Sequence, residues 1–263
     1  MADQAPLWLI GLLLFAAMIL AYEGGMRLRD QLRRRTKEPA PTSDDDGHVM
    51  AGVFGMLSLL MAFAFGLALD RYEQRRELVI TEANAIETLS SRIPLLPQEL
   101  RAPLGGQLAT YAATRVEAGQ NEDPRRAAAF FARGEAIHSA LGAQLVASLA
   151  QGPADARTTL LVQAFDAVGD VAAERRAARA ARLPDLVLAL LVLYCFAGAG
   201  MLGYTLDRSG ARHRLASGLF FALLVFAFIT VLDLDRPRGG AILVPQDELE
   251  RVAHNLMVSQ HRP

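Results

Sequence analysis

Four apolar stretches, divided two and two by a long polar segment, set the pattern of this chain. They run over Pro6–Tyr22, His48–Leu69, Pro184–Leu206 and Leu215–Leu234. A helix needs about 20 apolar residues to cross the hydrocarbon core of a bilayer. The last three stretches meet that length with almost no internal charge, and the first is the shortest, at 17 residues. Between the second and third lie 114 residues of polar, helix-patterned sequence. The pattern predicts an all-α membrane protein with four transmembrane helices and a helical extramembrane bundle inserted between spans two and three. It divides the chain into 1–69 (two spans and a linker), 70–183 (the insert), 184–234 (two spans) and 235–263 (a tail).

The second span shows no stop signal. No proline occurs between Gly47 and Ile93, and the glycines stay within the apolar half. One helix is therefore predicted from His48 to Ile93. Beyond the bilayer, Val79, Ala83, Ile86, Ser90 and Ile93 repeat at alternating spacings of four and three, which makes one stripe for packing on a neighbour. The rest of the insert predicts three more helices. The first covers Gln98–Ala118, loosened by Pro103, Gly105 and Gly106. The second starts at Asp123 as N-cap with Pro124 in the first turn, and stops at Gly152-Pro153. The third covers Ala154–Leu183. In the tail, an extended piece at Ala241–Val244 precedes an amphipathic helix over Gln246–Ser259, suited to the bundle or the membrane surface. The first loop ends in Pro, Ser and the acidic run Asp44–Asp46, and reads as a flexible linker.

Charge adds little to the function but bears on topology. The formal net charge is −1, so no global field attracts nucleic acid. Basic residues of the first loop (Arg27 to Lys37) and the third (Arg208, Arg212, Arg214) place those loops in the cytoplasm and the insert outside. Arginines at the insert's ends, from Arg71 to Arg76 and from Arg175 to Arg182, point the other way. Met1–Pro6 holds Asp3 and no basic side chain, so the first stretch reads as an uncleaved span rather than a signal peptide. Lys37 is the only lysine in an Ala- and Arg-rich chain, a composition pointing to a GC-rich bacterial genome and an inner-membrane location. The only cysteine, Cys195, lies in the third span.

No catalytic, nucleotide or zinc motif is present, and the five histidines lack ligand spacing, so neither an enzyme nor a cofactor is expected. The candidate functional residues lie on and around the second span. Gly52, Gly55, Ala62 and Gly66 form a small-residue stripe that lets helix backbones approach closely. Phe54, Met61 and Phe65 lie on a different face. In symmetric copies they would form apolar rings that close a path by dewetting, or else they simply touch lipid and the chain's own helices. Arg71 and Arg75, just beyond the span, could draw anions or lipid headgroups, or anchor locally. Asp233, Asp235 and Arg236, at the end of the fourth span, form either a tail clasp with cation affinity or a capped helix end.

Two blocks carry a family resemblance. Arg71–Ile86 with Arg92–Pro97, and Leu232–Pro245 with its Asp-Arg-Pro core, resemble the bestrophin-like domain family of bacterial membrane proteins. Arg238 stands where the family often has Phe. The resemblance implies a distant likeness to bestrophins: pentameric anion channels with four spans, a pore along the second, and a cytoplasmic helical region. It thus implies a homo-oligomer in a lipid bilayer, small ions as partners, and an insert and termini in the cytoplasm. Bestrophins also hold calcium in an acidic cluster after the last span; Asp233 and Asp235 are too few to carry it over. The alternative to a channel is a non-conducting scaffold or sensor whose insert docks a partner.

Overall fold

The structure, a computed structural model, describes residues 6–36, 44–121, 123–149, 156–205, 211–237 and 240–260. Lys37, the linker up to residue 43, the Gly152-Pro153 stop, Arg208 and Arg238 lie outside the described residues. The helices are α1 (Leu7–Thr36), α2 (Asp44–Arg92), α3 (Gln98–Gln120), α4 (Pro124–Leu149), α5 (Ala156–Ala180), α6 (Asp185–Thr205), α7 (Ala211–Asp235) and α8 (Asp247–Gln260). No strand occurs among the described residues.

Four helices are long and apolar enough to cross a membrane, as expected. Their ends differ from the sequence reading in instructive ways. The basic segment after the first apolar stretch is helical rather than a loop, so α1 spans 30 residues. Arg, Leu, Met and Gln all favour helix, and Arg33, Arg34 and Arg35 in the last turn complement the negative end of the helix dipole. Likewise α2 begins at Asp44, not His48. The acidic run falls in its first turn, a position that acidic residues favour. With 49 residues, α2 is about 73 Å long, well beyond the ~30 Å hydrocarbon core. A 3-10 turn at Ile93–Leu95, containing Pro94, ends it. Pro103 does not break α3, which continues to Gln120. Asp123 caps α4 as predicted: its Oδ1 accepts the Arg125 N–H at 2.9 Å. α5 stops at Ala180, earlier than the expected Leu183.

The chain forms two compact units. Met1–Arg71 and Arg182–Ile242 make the first; Tyr72–Ala181 and Leu243–Pro263 make the second. In the first unit, α1 buries Leu14, Met18, Tyr22 and Met26 at four-residue spacing, and α6 buries Leu191, Cys195 and Ala199 likewise. Tyr22 meets Phe221 of α7 edge-on, 5.8 Å between ring centres. The opposite helix faces carry exposed Leu20, Leu186 and Phe226. Apolar side chains on the outside suit a hydrocarbon solvent, which gives helices no hydrophobic drive to associate. What holds α1 to α6 is close backbone packing. A Cβ on Gly25 would overlap the Gly200 carbonyl, and one on Gly203 would overlap the Tyr22 carbonyl.

The second unit is a helical bundle. Its core joins Val79, Ile86 and Leu89 of α2, Leu104 and Leu108 of α3, Leu141 and Leu145 of α4, Leu161 and Val168 of α5, and Leu249, Val252 and Leu256 of α8. The predicted stripe on α2 holds at Val79, Ala83 and Ile86, with Ile93 packed against the core, but Leu89 rather than Ser90 is its buried fourth member. Leu89 removes more apolar surface from water than Ser90 would. The tail helix packs into this core, which its sequence pattern had left open.

The close α1–α6 approach makes a sharp prediction. Gly25→Ala or Gly203→Ala should destabilise the protein by about 1–3 kcal/mol, because backbone must move. Gly24→Ala has nothing within 4 Å of the new methyl and should be neutral or slightly stabilising. Thermal unfolding in detergent ranks the three; equal midpoints would contradict the packing.

Candidate functional site

Within the first unit, α2 shows two contrasting faces. Leu57, Ala64 and Ala68 are buried against the chain's own helices. Phe54 sits at the edge of this face. Its ring meets Phe220 edge-on at 5.2 Å and packs against Gly198, where a Cβ would lie 3.0 Å from it. At 100° per residue, Gly52, Gly55, Ala62 and Gly66 fall on the far side. A Cβ on Gly52, Gly55 or Gly66 would have no neighbour within 4 Å, and Ala62 is exposed. Met61 is half-buried and Phe65 is 41% exposed. In all, 17% of the most apolar window of α2 is buried in the chain. The glycines of the stripe thus have no neighbour among the described residues, and of the three predicted aromatic and sulfur side chains Phe54 has defined ring contacts within the chain.

The end of α7 is tied down by its two aspartates. Asp233 accepts the Ala241 N–H at 3.0 and 3.1 Å and the Ile242 N–H at 3.2 Å. Gly240 lets the loop fold over it, since a Cβ there would overlap Asp233 Oδ1. Asp235 accepts the Leu183 N–H at 2.8 Å and lies 3.5 Å from Arg71 Nη1, while its own carbonyl accepts from Arg182 Nη1 at 2.9 Å. The Arg236 N–H closes the last turn onto the Leu232 carbonyl at 3.1 Å. Asp233 therefore serves backbone amides. No group of three or more His, Cys, Asp or Glu that could hold a metal occurs among the described residues. Arg71 is held by Asp235, and Arg75 is buried.

In the second unit, the largest electrostatic feature is a carboxylate with no exposure, Glu82. It interrupts the apolar stripe of α2 between Val79 and Ala83. Glu82 Oε1 accepts from Arg115 Nε at 2.6 Å and from the Tyr111 hydroxyl at 3.1 Å. Its Oε2 pairs with Arg175 Nη1. Arg175 Nη2 donates to Gln246 Oε1 at 3.1 Å, and Gln246 Nε2 donates to the Val244 carbonyl at 3.0 Å. One carboxylate so links α2, α3, α5 and the start of α8. Burial opposes its charge, but the Arg175 and Arg115 guanidiniums outweigh that and hold Glu82 below the ordinary carboxylate range. Burial and the neighbouring Glu82 charge push the Tyr111 phenol up. Burial would lower Arg115, yet Glu82 raises it.

The partners of Glu82 were not found from the sequence. The available signal was a carboxylate inside an apolar stripe. Such a residue needs a cation to be buried. Arg115 and Arg175, each on the inward side of its helix, supply it.

Removing the negative charge leaves two buried guanidiniums facing each other. Glu82→Gln is expected to cost about 3–5 kcal/mol of bundle stability, read as a lowered denaturation midpoint in detergent. The same network sets an acid limit. A carboxylate depressed in the folded state stabilises above its unfolded pKa, and that stability is lost as pH falls through the depressed value. The wild-type midpoint should therefore fall below the ordinary carboxylate range. Glu82→Gln should lack this component of the acid loss; an identical pH profile would refute the assignment.

The comparisons with known proteins agree on the fold. A crystal structure of a bacterial bestrophin homolog from Klebsiella pneumoniae superposes with a TM-score of 0.67 at 16% identity, covering 96% of this chain and 98% of that one. Two mutated forms of a K. pneumoniae bestrophin homolog give 0.69 at 14% identity (96% and 98% covered) and 0.70 at 12% identity (98% and 100% covered). No curated protein matches. The model of the Bestrophin-like domain matches residues 12–249. The chain belongs to the bestrophin-like domain family.

Proposed function

We propose that this protein forms a homo-oligomer in the membrane and conducts small ions along a path lined by α2. The observation that carries the reading is the unpartnered face of α2. A membrane helix with Gly52, Gly55, Ala62 and Gly66 in open space can receive another helix at close range. The family resemblance, with bestrophins as oligomeric anion channels, agrees with such use of the second span. Phe65 lies about 100° round α2 from the stripe, exposed, with half-buried Met61 beside it. Copies meeting through the stripe would then present Phe65 and Met61 toward a shared axis. Apolar rings in a narrow neck expel water and hold a path closed. Phe54, packed on Phe220 and Gly198, supports the wall from behind. Arg71, partly exposed and partly offset by Asp235, adds positive charge just past the apolar stretch and favours anions, whereas Arg75 is buried and acts at most at long range.

Shortening Met61 and Phe65 together to Ala should raise chloride flux from liposomes at least several-fold without changing oligomer mass. Phe54→Ala should instead lower stability, because it removes an internal contact. If neither the wild type nor the opened variant carries current, the protein is a non-conducting scaffold or sensor.

A further inference from the structure

Around Glu82 the buried charges do not balance among the described residues. One carboxylate, Glu82, faces two guanidiniums, Arg115 and Arg175, and all three side chains are at most 5% exposed. Arg175 gains the neutral acceptor Gln246. Beyond Glu82, Arg115 meets two ring faces, with its guanidinium carbon 4.7 Å from the Phe131 centre and 5.9 Å from the Tyr111 centre. Its Nη2 is buried without a hydrogen-bond acceptor among the described residues. A buried donor left unmet, with a unit of positive charge in excess, is costly unless something negative reaches it.

Arg115 also lines a cavity of about 230 Å³, together with Tyr111, Glu135, His138, Gly169 and Arg176. A water molecule occupies about 30 Å³ of liquid volume, so the space exceeds what a single water fills. At its mouth, Arg176 pairs with Glu135, and both side chains are about half exposed. The Glu135 carboxylate also acts on Arg115, so one exposed carboxylate serves two guanidiniums at this cavity. One wall is flat and aromatic: His138 stacks on Phe165 with ring centres 4.2 Å apart. Burial lowers the His138 pKa and keeps the ring neutral.

We propose that this cavity binds a small oxyanion, a carboxylate or phosphate group, held by Arg115 from inside and Arg176 at the mouth. Guanidinium groups present paired donors that match two oxygens of either group. The Glu135 carboxylate on Arg176 already shows the chemistry, and an entering oxyanion would take its place. The site stands apart from the conduction reading and needs no second copy of the chain.

The test uses the full-length protein in detergent, with sodium acetate, sodium phosphate and sodium chloride at equal ionic strength. Thermal unfolding and titration calorimetry are read together. Saturable stabilisation by acetate or phosphate, beyond that by chloride, is expected, and the stronger arm identifies the group. Arg176→Gln should weaken that binding about tenfold by removing one charge-assisted contact. Its ligand-free midpoint should hold, because an exposed ion pair contributes little. Gly169→Ala introduces a better helix former but places a Cβ 3.0 Å from His138 Cε1, so it should also weaken binding by crowding the wall. Equal effects of all three salts on the wild type would overturn the proposal. So would unchanged oxyanion affinity in both variants.

Discussion

The bundle depends on one buried carboxylate. Taking Glu82 out of water costs several kcal/mol, and that cost is offset only where hydrogen bonds and opposite charges meet it in good geometry. Arg115, Arg175 and Tyr111 supply both. The apolar core around Val79, Ile86, Leu108 and Val168 provides most of the burial energy but tolerates many packings. The ion network does not, since a small slip of α3 or α5 along α2 would strand a charge. Through Gln246 the same network reaches the segment that begins α8, so the tail helix docks in one register.

The first unit is governed by a different constraint. In lipid, burying an apolar face gains little, because the alternative surroundings are equally apolar. Specific helix pairing then relies on contact distance. Gly25, Gly200 and Gly203 bring α1 and α6 to backbone contact, and Asp233 and Asp235 satisfy amides where α7 ends and the chain turns. On α2 the same residue type has a different setting. Gly52, Gly55 and Gly66 have no neighbour within 4 Å among the described residues, so the feature that joins α1 to α6 is left uncovered on α2.

Much of this architecture was legible in the sequence. Apolar length alone located four spans, and the Asp123-Pro124 start and the Pro94 stop gave helix ends that the structure retains. The resemblance blocks at Arg71–Ile86 and Leu232–Pro245 named the family. Other features were hidden for physical reasons. The basic end of α1 looked like a loop because charge is a weak guide against high helix propensity. The acidic start of α2 looked like a linker because aspartate is a poor helix former in a helix interior, although it suits a first turn. The approach of Gly25 to Gly200 and of Gly203 to Tyr22 was missed because glycines in a helix carry no mark of which face will be covered. The partners of Glu82 were invisible because pairing across 33 and 93 positions is a property of the fold.

The central claim is that the small-residue face of α2 meets another copy of the chain. Single-cysteine cross-linking in native membranes tests it most directly, in a Cys195→Ala background. Gly55→Cys lies on the open face and Leu57→Cys on the buried one. Disulfide-linked dimers are expected for Gly55→Cys and not for Leu57→Cys. Linkage at neither position, or linkage at Leu57 alone, would contradict the claim.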